Sequence, residues 1–259
     1  MKHAWKIIAM AALLASSGAL AAETPDVAVK AGGQSCVAGV DGDVCSHFFG
    51  ASDVTVSIVG GAKDCAPSRA VLMQMSTRLE APVEGAVTPA EFDGCKAQEL
   101  VVHLPKVTNE TEFRVNISSG DAKTGKVILV PLKAYPRDLM NPLKTWAKDE
   151  HFSLVVKDKD GRLTGFLDRN DVVYSTGAAS AKTRKLTIVV ADPEDMKEGK
   201  PEGDVLYLTE KVKDMPLVSV EKTAQGATAI ANIKILDGLS ADDPLAEKAF
   251  VKIFTMISK

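Results

Sequence analysis

The chain has 259 residues, of which 46% are hydrophobic, 25% charged and 5% aromatic, and its formal net charge is -3. This is the composition of an ordinary globular protein, and it excludes collagen-like, coiled-coil and low-complexity chains. The small negative charge also argues against a dedicated nucleic-acid-binding protein, because no excess of basic residues is available to displace phosphate counterions.

Residues 1–21 have the pattern of a secretory signal peptide. Lys2 and Lys6 give a basic start, residues 7–14 form a short apolar run, and residues 19–21 supply the small-x-small pattern that signal peptidase needs. The apolar run is too short for a permanent membrane anchor, which takes about 20 residues. We therefore predict a soluble protein exported to a bacterial periplasm, with no integral membrane segment after cleavage.

The four cysteines, Cys36, Cys45, Cys65 and Cys95, all lie in the first half of the chain. An even number of cysteines in an exported protein favours structural disulfides. Three pairings are open, and we favour Cys36–Cys45 with Cys65–Cys95 because each closes a local loop. A metal site or a redox pair is the alternative, but the sequence contains no C-x-x-C motif.

The first half of the chain after the signal peptide predicts strands. Residues 22–50 are rich in Gly, Ala and Asp, which indicates an irregular lead-in pinned by disulfides. Apolar and polar residues then alternate in four short runs, near residues 54–58, 71–75, 100–104 and 113–117. Period-2 alternation is typical of strands with one buried face. We predict a small β-sandwich of Ig-like architecture over residues 51–120.

The second half changes in pattern after a polar linker predicted at residues 121–125. Strands are predicted to begin near Lys126, Phe152, Val172, Leu186 and Val205. The first of these, VILVPL, is a continuous apolar run of the kind found in strands buried on both faces. A hairpin is expected over residues 217–236. Strands that alternate with helical crossovers indicate a mostly parallel sheet with helices on its faces.

Helices are predicted from capping signals and apolar spacing. Asn141 is the expected N-cap of one helix, with Pro142 at its first position, and residues 163–167 suggest a short second one. Asp242 or Asp243 caps the last helix, which Pro244 starts. Its buried stripe is predicted from six apolar residues, Leu245, Ala249, Phe250, Ile253, Phe254 and Ile257. The predicted fold class is therefore a two-domain α+β protein, with an N-terminal β-sandwich (51–120) and a C-terminal α/β domain (126–259).

Three partial motifs fail where their chemistry needs them most. Residues 120–126 match seven positions of a P-loop, but Val127 replaces the Ser or Thr that binds magnesium. Residues 157–162 resemble part of a calcium loop, but its first and last ligand positions would be Val156 and Leu167. Ser175 follows a predicted strand without the G-x-S-x-G pattern or a histidine base nearby. We therefore predict neither a cofactor nor a metal site.

Ligands of open α/β sheets usually bind beyond the carboxyl ends of the strands. The candidate ligand-binding residues predicted at those ends are Lys133, Tyr135, Arg137, Asp158, Ser175, Asp192 and Glu210. Asp192 begins a D-P-E-D segment that also has the pattern of a helix start. We assign none of these residues a catalytic role.

These observations favour a non-catalytic binding or assembly module that binds a protein, such as another envelope protein, or a small ligand. The alternative is a periplasmic hydrolase with a site at the strand ends, where Asp192 or Glu210 would serve beside a metal. A receptor that clamps a small solute between its domains is a third hypothesis. Trp146 is the only tryptophan after the signal peptide, so stacking recognition of sugars or bases has little support.

Overall fold

The computed structural model describes residues 27–31, 34–37, 47–58, 67–77, 79–94, 96–119, 126–177, 184–190, 202–209, 218–224, 226–232 and 234–258. The predicted signal peptide, the side chains of the four cysteines, and therefore the disulfide pairing lie outside this part of the chain. What is described is mostly β structure with some helices, arranged in three sheets.

The first two sheets are built from the strands that precede residue 136. In chain order these are β1 (Val27–Ala31), β2 (Gln34–Val37), β3 (His47–Phe49), β4 (Asp53–Ile58), β5 (Pro67–Met75), β6 (Glu80–Pro82), β7 (Val87–Thr88), β8 (Glu91–Asp93), β9 (Gln98–His103), β10 (Thr111–Ser119) and β11 (Lys126–Tyr135). One sheet has the order β2-β1-β4-β9-β7, and the other has the order β3-β11-β10-β5-β6 with β8 beside β5. All their ladders are antiparallel except β3–β11.

These two sheets pack face to face as a β-sandwich. Alternate residues of each strand enter one shared core, for example Val54 and Val56 of β4 and Val115 of β10, all of which are fully buried. Every second side chain of a strand points to the same face, so the period-2 pattern of the sequence becomes one buried face on each sheet. The predicted sandwich is confirmed at the level of its strands and its core.

Strand β11 belongs to the sandwich. The sequence analysis placed it in the mostly parallel sheet of the second half of the chain. It pairs antiparallel with β10 from Thr111–Ala134 to Ser119–Lys126. The linker predicted at residues 121–125 lies outside the described residues, and the strands that flank it pair with each other. Strand β11 is also buried on one face only, because Val127 and Leu129 are exposed while Val130 and Leu132 enter the core.

The remaining elements form the third sheet and its helices. They are α1 (Asn141–Lys148), β12 (Phe152–Lys157), α2 (Arg162–Arg169), β13 (Arg184–Val190), β14 (Asp204–Thr209), β15 (Val218–Thr223), β16 (Gly226–Asn232), α3 (Ile235–Ser240) and α4 (Pro244–Ser258). The sheet order is β12-β13-β14-β16-β15. Its first three ladders are parallel, and β15 and β16 form the predicted antiparallel hairpin.

Two details of this region correct the sequence analysis. The strand predicted near Val172 is absent from the described residues, where a single bridge joins Val155 to Ser175. Asn141 is the first residue of α1 and not its cap, since Met140 holds the N-cap position without a side-chain hydrogen bond. Asn141 and Pro142 thus predicted the start of the helix to within one residue but did not identify its cap.

All four helices contribute to one core against the third sheet. In α4 the buried stripe includes Phe250, Ile253, Phe254 and Ile257, as predicted, whereas Leu245 is 40% exposed. Trp146 of α1 stacks on a strand residue and meets Phe254 edge to face, with ring centroids 5.5 Å apart. The aromatic side chains thus fix α4 across the sheet. None of the described helices is long and apolar enough to cross a membrane.

The C-terminal end of α4 is held by one arginine. The Arg184 guanidinium donates to the main-chain oxygens of Ile257 and Ser258, at 3.1 and 2.9 Å. It also pairs with Asp204 at 2.8 Å, and the second oxygen of Asp204 accepts from the Ala227 amide at 2.8 Å. A cation at a helix C-terminus satisfies carbonyls that have no partner within the helix. This network connects α4 to three strands of the sheet.

Candidate functional site

A pocket of about 260 Å³ lies where the sandwich meets the helices of the third sheet. We call it the junction pocket. Its lining side chains come from both regions, and they are Phe49, Arg137, Arg169, Asn170, Asp242 and Glu247. Binding sites are commonly concave and lie where separate parts of a fold meet, with a few polar groups converging on an apolar wall.

The sandwich side of the junction pocket carries Phe49 and Arg137. Phe49 ends β3 and pairs with Tyr135, so Arg137 follows the pairing by two residues. The Arg137 guanidinium donates to the oxygens of Gly50 at 3.1 Å and Ala51 at 3.3 Å, and it lies 5.7 Å from the Phe49 ring centre. No carboxylate of the described residues pairs with it. The carbonyls orient this cation and leave its charge unneutralised.

The opposite side is formed by the end of α2 and the start of α4. Arg169 donates to the Leu239 oxygen at 3.1 Å and contacts the Asp242 carboxylate at 3.5 Å. Asp242 has a φ of 54°, in the left-handed region that Asp tolerates better than most residues. This conformation turns the chain from α3 into α4, which brings Asp242 and Glu247 to the same pocket wall.

Glu247 is the most unusual group of the junction pocket. The residue is 4% exposed. No hydrogen bond or ion pair of its carboxyl group is found among the described residues, and its oxygens are not among the fully buried polar atoms that lack a partner. Burial raises the pKa of Glu247 to about 7, with a further contribution from the neighbouring Asp242. Lys144 and Arg169 oppose this increase without reversing it. A buried acid that titrates near neutral pH and faces a cavity is a candidate functional group.

A second group of charged side chains lies between the sandwich and α4, and we call it the ion cluster. Its centre is Glu110, which pairs with Lys133 at 2.6 Å and also with Lys248 of α4. The Lys248 ammonium lies 5.3 Å from the Tyr135 ring centre, and the Tyr135 hydroxyl is 3.2 Å from Nδ1 of His47. The ion cluster therefore connects the sandwich to α4 directly.

The charges of the ion cluster satisfy one another. Hydrogen bonds that Lys133 and Lys248 donate lower the pKa of Glu110, and the bond that Lys133 donates to Glu110 raises the pKa of Lys133. Burial, followed by the charge of Lys133, lowers the pKa of His47. Burial raises the pKa of Tyr135. These groups keep their usual ionisation states at neutral pH, which is typical of a structural contact.

The structure distributes the predicted ligand-binding residues over different places. Lys133 and Tyr135 lie in the ion cluster, and Arg137 lies in the junction pocket, because β11 is a strand of the sandwich. Asp158 and Ser175 belong to the third sheet and do not line that pocket. The five described residues of this prediction therefore lie in three different places. Asp192 and Glu210 lie outside the described residues.

The two described residues at the third sheet have local structural contacts. Oδ2 of Asp158 accepts from the amides of Leu163 and Thr164, at 2.7 and 3.0 Å, which satisfies the first turn of α2. The backbone of Ser175 bridges to β12, and its hydroxyl is buried without a hydrogen-bond partner among the described residues. Within the same part of the chain, no group of three or more His, Cys, Asp or Glu residues could hold a metal ion.

Sequence reasoning missed Arg169, Asp242 as a pocket residue, and Glu247. A signal for Glu247 is present, because it precedes Phe250, Phe254 and Ile257 at helical spacing and so lies on the apolar stripe of α4. An acid in such a stripe is unusual enough to single out. No comparable signal exists for Arg169, whose position depends on how α2 packs beside α3.

No protein-family model matches this sequence, and no curated protein matches it. A chain from a structure of the chaperone–tip adhesin complex of CFA/I fimbriae biogenesis aligns with 35% of this chain at 10% identity and a TM-score of 0.30. The class 5 fimbriae chaperone CfaA aligns with 35% of this chain at 12% identity and a TM-score of 0.29. In both cases 52% of the other chain is covered, so this chain spans about half their length.

A sialyltransferase from Photobacterium damsela aligns with 62% of this chain and 34% of its own, at 7% identity and a TM-score of 0.24. Similarities this low establish neither a family nor an activity. The functional argument therefore depends on the residues of the junction pocket.

Proposed function

We propose that this chain is an exported periplasmic protein that acts as a non-catalytic binding module, with the junction pocket as its binding site. In this proposal an Ig-like sandwich domain and an α/β domain, divided after β11, each supply one wall. The observation that carries the proposal is the unpaired Glu247 carboxyl, buried in the wall of a pocket that also holds the uncompensated cation of Arg137.

Two physical arguments support a binding role for this pocket. Burying an ionisable group without a partner lowers the free energy of unfolding. Such groups are therefore retained mainly where they have a function. The Arg137 guanidinium is already oriented by the Gly50 and Ala51 carbonyls. A ligand that binds an oriented group loses less conformational entropy than one that must order it.

The hydrolase alternative has less support from the described residues. Oδ2 of Asp158, the described acid at a predicted strand end, accepts from the amides of α2, and its Oδ1 is buried without a hydrogen-bond partner among the described residues. Ser175 shows a hydrogen bond neither to a histidine nor to a carboxylate in the described part of the chain. A serine nucleophile needs a base within hydrogen-bond reach. Partner proteins of the cell envelope remain compatible with the binding proposal, since a side chain of a partner could enter a pocket of this size.

Mass spectrometry of the exported full chain tests the proposal. We expect the wild-type protein, measured under native conditions, to carry a mass that is lost on denaturation. The double variant Arg137→Ala/Glu247→Ala should carry none, while the matched control Arg162→Ala, whose guanidinium pairs with Asp237 away from the pocket, should behave as wild type. An equal bound mass in wild type and double variant would show that the ligand binds elsewhere and would overturn the proposal.

A further inference from the structure

We propose that the junction pocket binds a small monocarboxylate with a short apolar body, held by the guanidinium groups of Arg137 and Arg169, in the pocket that the Glu247 carboxyl also lines. This inference rests on the proposed binding function and narrows it to one chemical class of ligand. It is carried by two features of the pocket, its oriented cations and its size, and is supported by the charge balance of the pocket when Glu247 is protonated.

Both cations retain donors after their protein contacts are counted. Arg137 uses Nε and Nη2 for the Gly50 and Ala51 carbonyls, and Nη1 has no partner among the described residues. Arg169 uses Nη2 for Leu239 and Asp242, which leaves Nε and Nη1. A guanidinium is planar and presents paired donors that match the two oxygens of a carboxylate. Both guanidinium groups line the same pocket, and each keeps donors for the oxygens of a carboxylate.

The charge balance selects a single negative charge. With Glu247 protonated, the pocket has two arginine cations and the Asp242 carboxylate, a surplus of one positive charge. A monoanion neutralises this surplus, whereas a dianionic phosphate would leave a negative excess beside Asp242. The protonated Glu247 also supplies a hydroxyl donor, and an uncharged carboxylic acid in an apolar site can donate a hydrogen bond to a bound oxygen.

The size of the pocket limits the ligand. A volume of about 260 Å³ is below the range of roughly 300–1,000 Å³ that is typical of drug-sized ligands. The ring of Phe49 supplies an apolar wall beside Arg137. A carboxylate on a chain of a few carbon atoms fits this combination of volume, apolar wall and cations.

Binding is coupled to the protonation of Glu247. Its pKa of about 7 results from burial and Asp242, with Asp243 acting in the same direction and Lys144 of α1 and Arg169 of α2 opposing it. A carboxylate that requires the protonated acid should bind about tenfold more weakly at pH 8 than at pH 6, since the protonated fraction of such a group falls by about that factor. A proton should be taken up on binding at pH 7.5.

Isothermal titration calorimetry of the full chain provides the test, with butyrate, its neutral isostere butyramide, and inorganic phosphate as probes. We expect butyrate to bind, butyramide not to bind, and phosphate to bind more weakly than butyrate. Arg137→Gln should weaken butyrate binding by about tenfold or more, and Arg137→Lys should recover only part of it. The control Arg162→Gln should leave it unchanged, and circular dichroism and melting curves should show that every variant is folded.

Glu247→Gln separates a ligand contact from a structural role, because it keeps an amide donor and removes the titration. This variant should bind butyrate with the same affinity at pH 6 and pH 8, whereas the affinity of the wild type should fall about tenfold between these pH values. Equal binding of butyrate and butyramide, tighter binding of phosphate, or an unchanged affinity in Arg137→Gln would overturn the carboxylate class. If a mass still dissociates from the exported protein in any of these cases, the binding function stands and only its ligand class is wrong.

Discussion

Glu110 and Glu247 are two acids at the contact between the sandwich and α4, and their environments shift their pKa values in opposite directions. Glu110 is partly exposed and pairs with two lysines, which lower its pKa. Glu247 is buried and has no partner in the described part of the chain, and its pKa rises to about 7. Both face contacts between the sandwich and α4. The first arrangement stabilises a contact, whereas the second costs stability, and this contrast is the reason why we propose a ligand at the second acid.

The comparison depends on α4, because Glu247 and the Lys248 partner of Glu110 are consecutive residues of this helix. Phe250 fixes the helix on its core, fully buried and edge to face with Phe166 at 6.1 Å. We expect Phe250→Ala to lower the free energy of unfolding by about 3–5 kcal/mol. Urea unfolding followed by circular dichroism measures this change. A loss below about 1 kcal/mol would show that α4 is not the platform on which both acids depend.

The buried acid should make stability depend on pH in a direction opposite to that of a paired carboxylate. Folding raises the pKa of Glu247 from 4.5 to about 7, so its stabilising protonation is complete below pH 4.5 and is lost as the pH rises through 7. Glu247→Gln should therefore increase the free energy of unfolding by up to about 3 kcal/mol at pH 8 and change it little at pH 4.5.

Chemical denaturation of wild type and Glu247→Gln at both pH values checks this expectation. Glu221→Gln, on the exposed strand β15, is a control that should show no such difference. A Glu247→Gln variant that is less stable than wild type at pH 8 would mean that the ionised carboxylate has a partner and is not a free ligand-binding group.

The elements of this fold could be predicted from sequence much better than their assembly. Capping residues and apolar spacing placed α4 at Pro244, and period 2 identified β4, β9 and β10. The run VILVPL of β11 could not be assigned, because a hairpin partner and a fully buried strand have the same local composition. The polar segment before it has turn chemistry that suits a linker or a hairpin equally well.

The same limit explains the outcome for the candidate site. Arg137 was selected for a wrong structural reason, as the end of a parallel strand, and it lies in the junction pocket because β11 pairs with β3. Glu247 was overlooked because acids near a helix start are usually exposed and interact favourably with the helix dipole. The apolar stripe of α4 carried the opposite signal, because Glu247 shares it with Phe250, Phe254 and Ile257.

The paired acid should respond weakly, and in a salt-dependent way. Lys248→Met removes one of the two cations from Glu110 and the contact with the Tyr135 ring. We expect a loss of about 0.5–1 kcal/mol in the free energy of unfolding at low salt, since the pair is exposed to solvent, and a smaller loss at 1 M salt. Lys252→Met, one turn along on the exposed face of α4, is the matched control and should have no effect.

A loss that is unchanged in 1 M salt would show that Lys248 acts through packing of its side chain and not through its charge. In that case the ion cluster would stabilise the contact between the sandwich and α4 by apolar packing, and the electrostatic contrast between Glu110 and Glu247 would not hold. A double-mutant cycle with Glu110→Gln separates the two contributions, because only the charge pair gives a coupling energy between these positions.

The smallest effect is expected at Leu245, where the sequence analysis placed a buried residue and the structure exposes 40% of it. Leu245→Ala should change the free energy of unfolding by less than about 0.5 kcal/mol, whereas Ile253→Ala, at a 4% exposed position of the same helix, should cost about 2–5 kcal/mol. The two variants remove aliphatic groups of similar size, so their difference reports the rotation of α4 about its axis. That rotation also decides whether Glu247 faces the pocket or solvent. Equal losses at Leu245 and Ile253 would therefore contradict the burial of Glu247, and with it the contrast between the two acids.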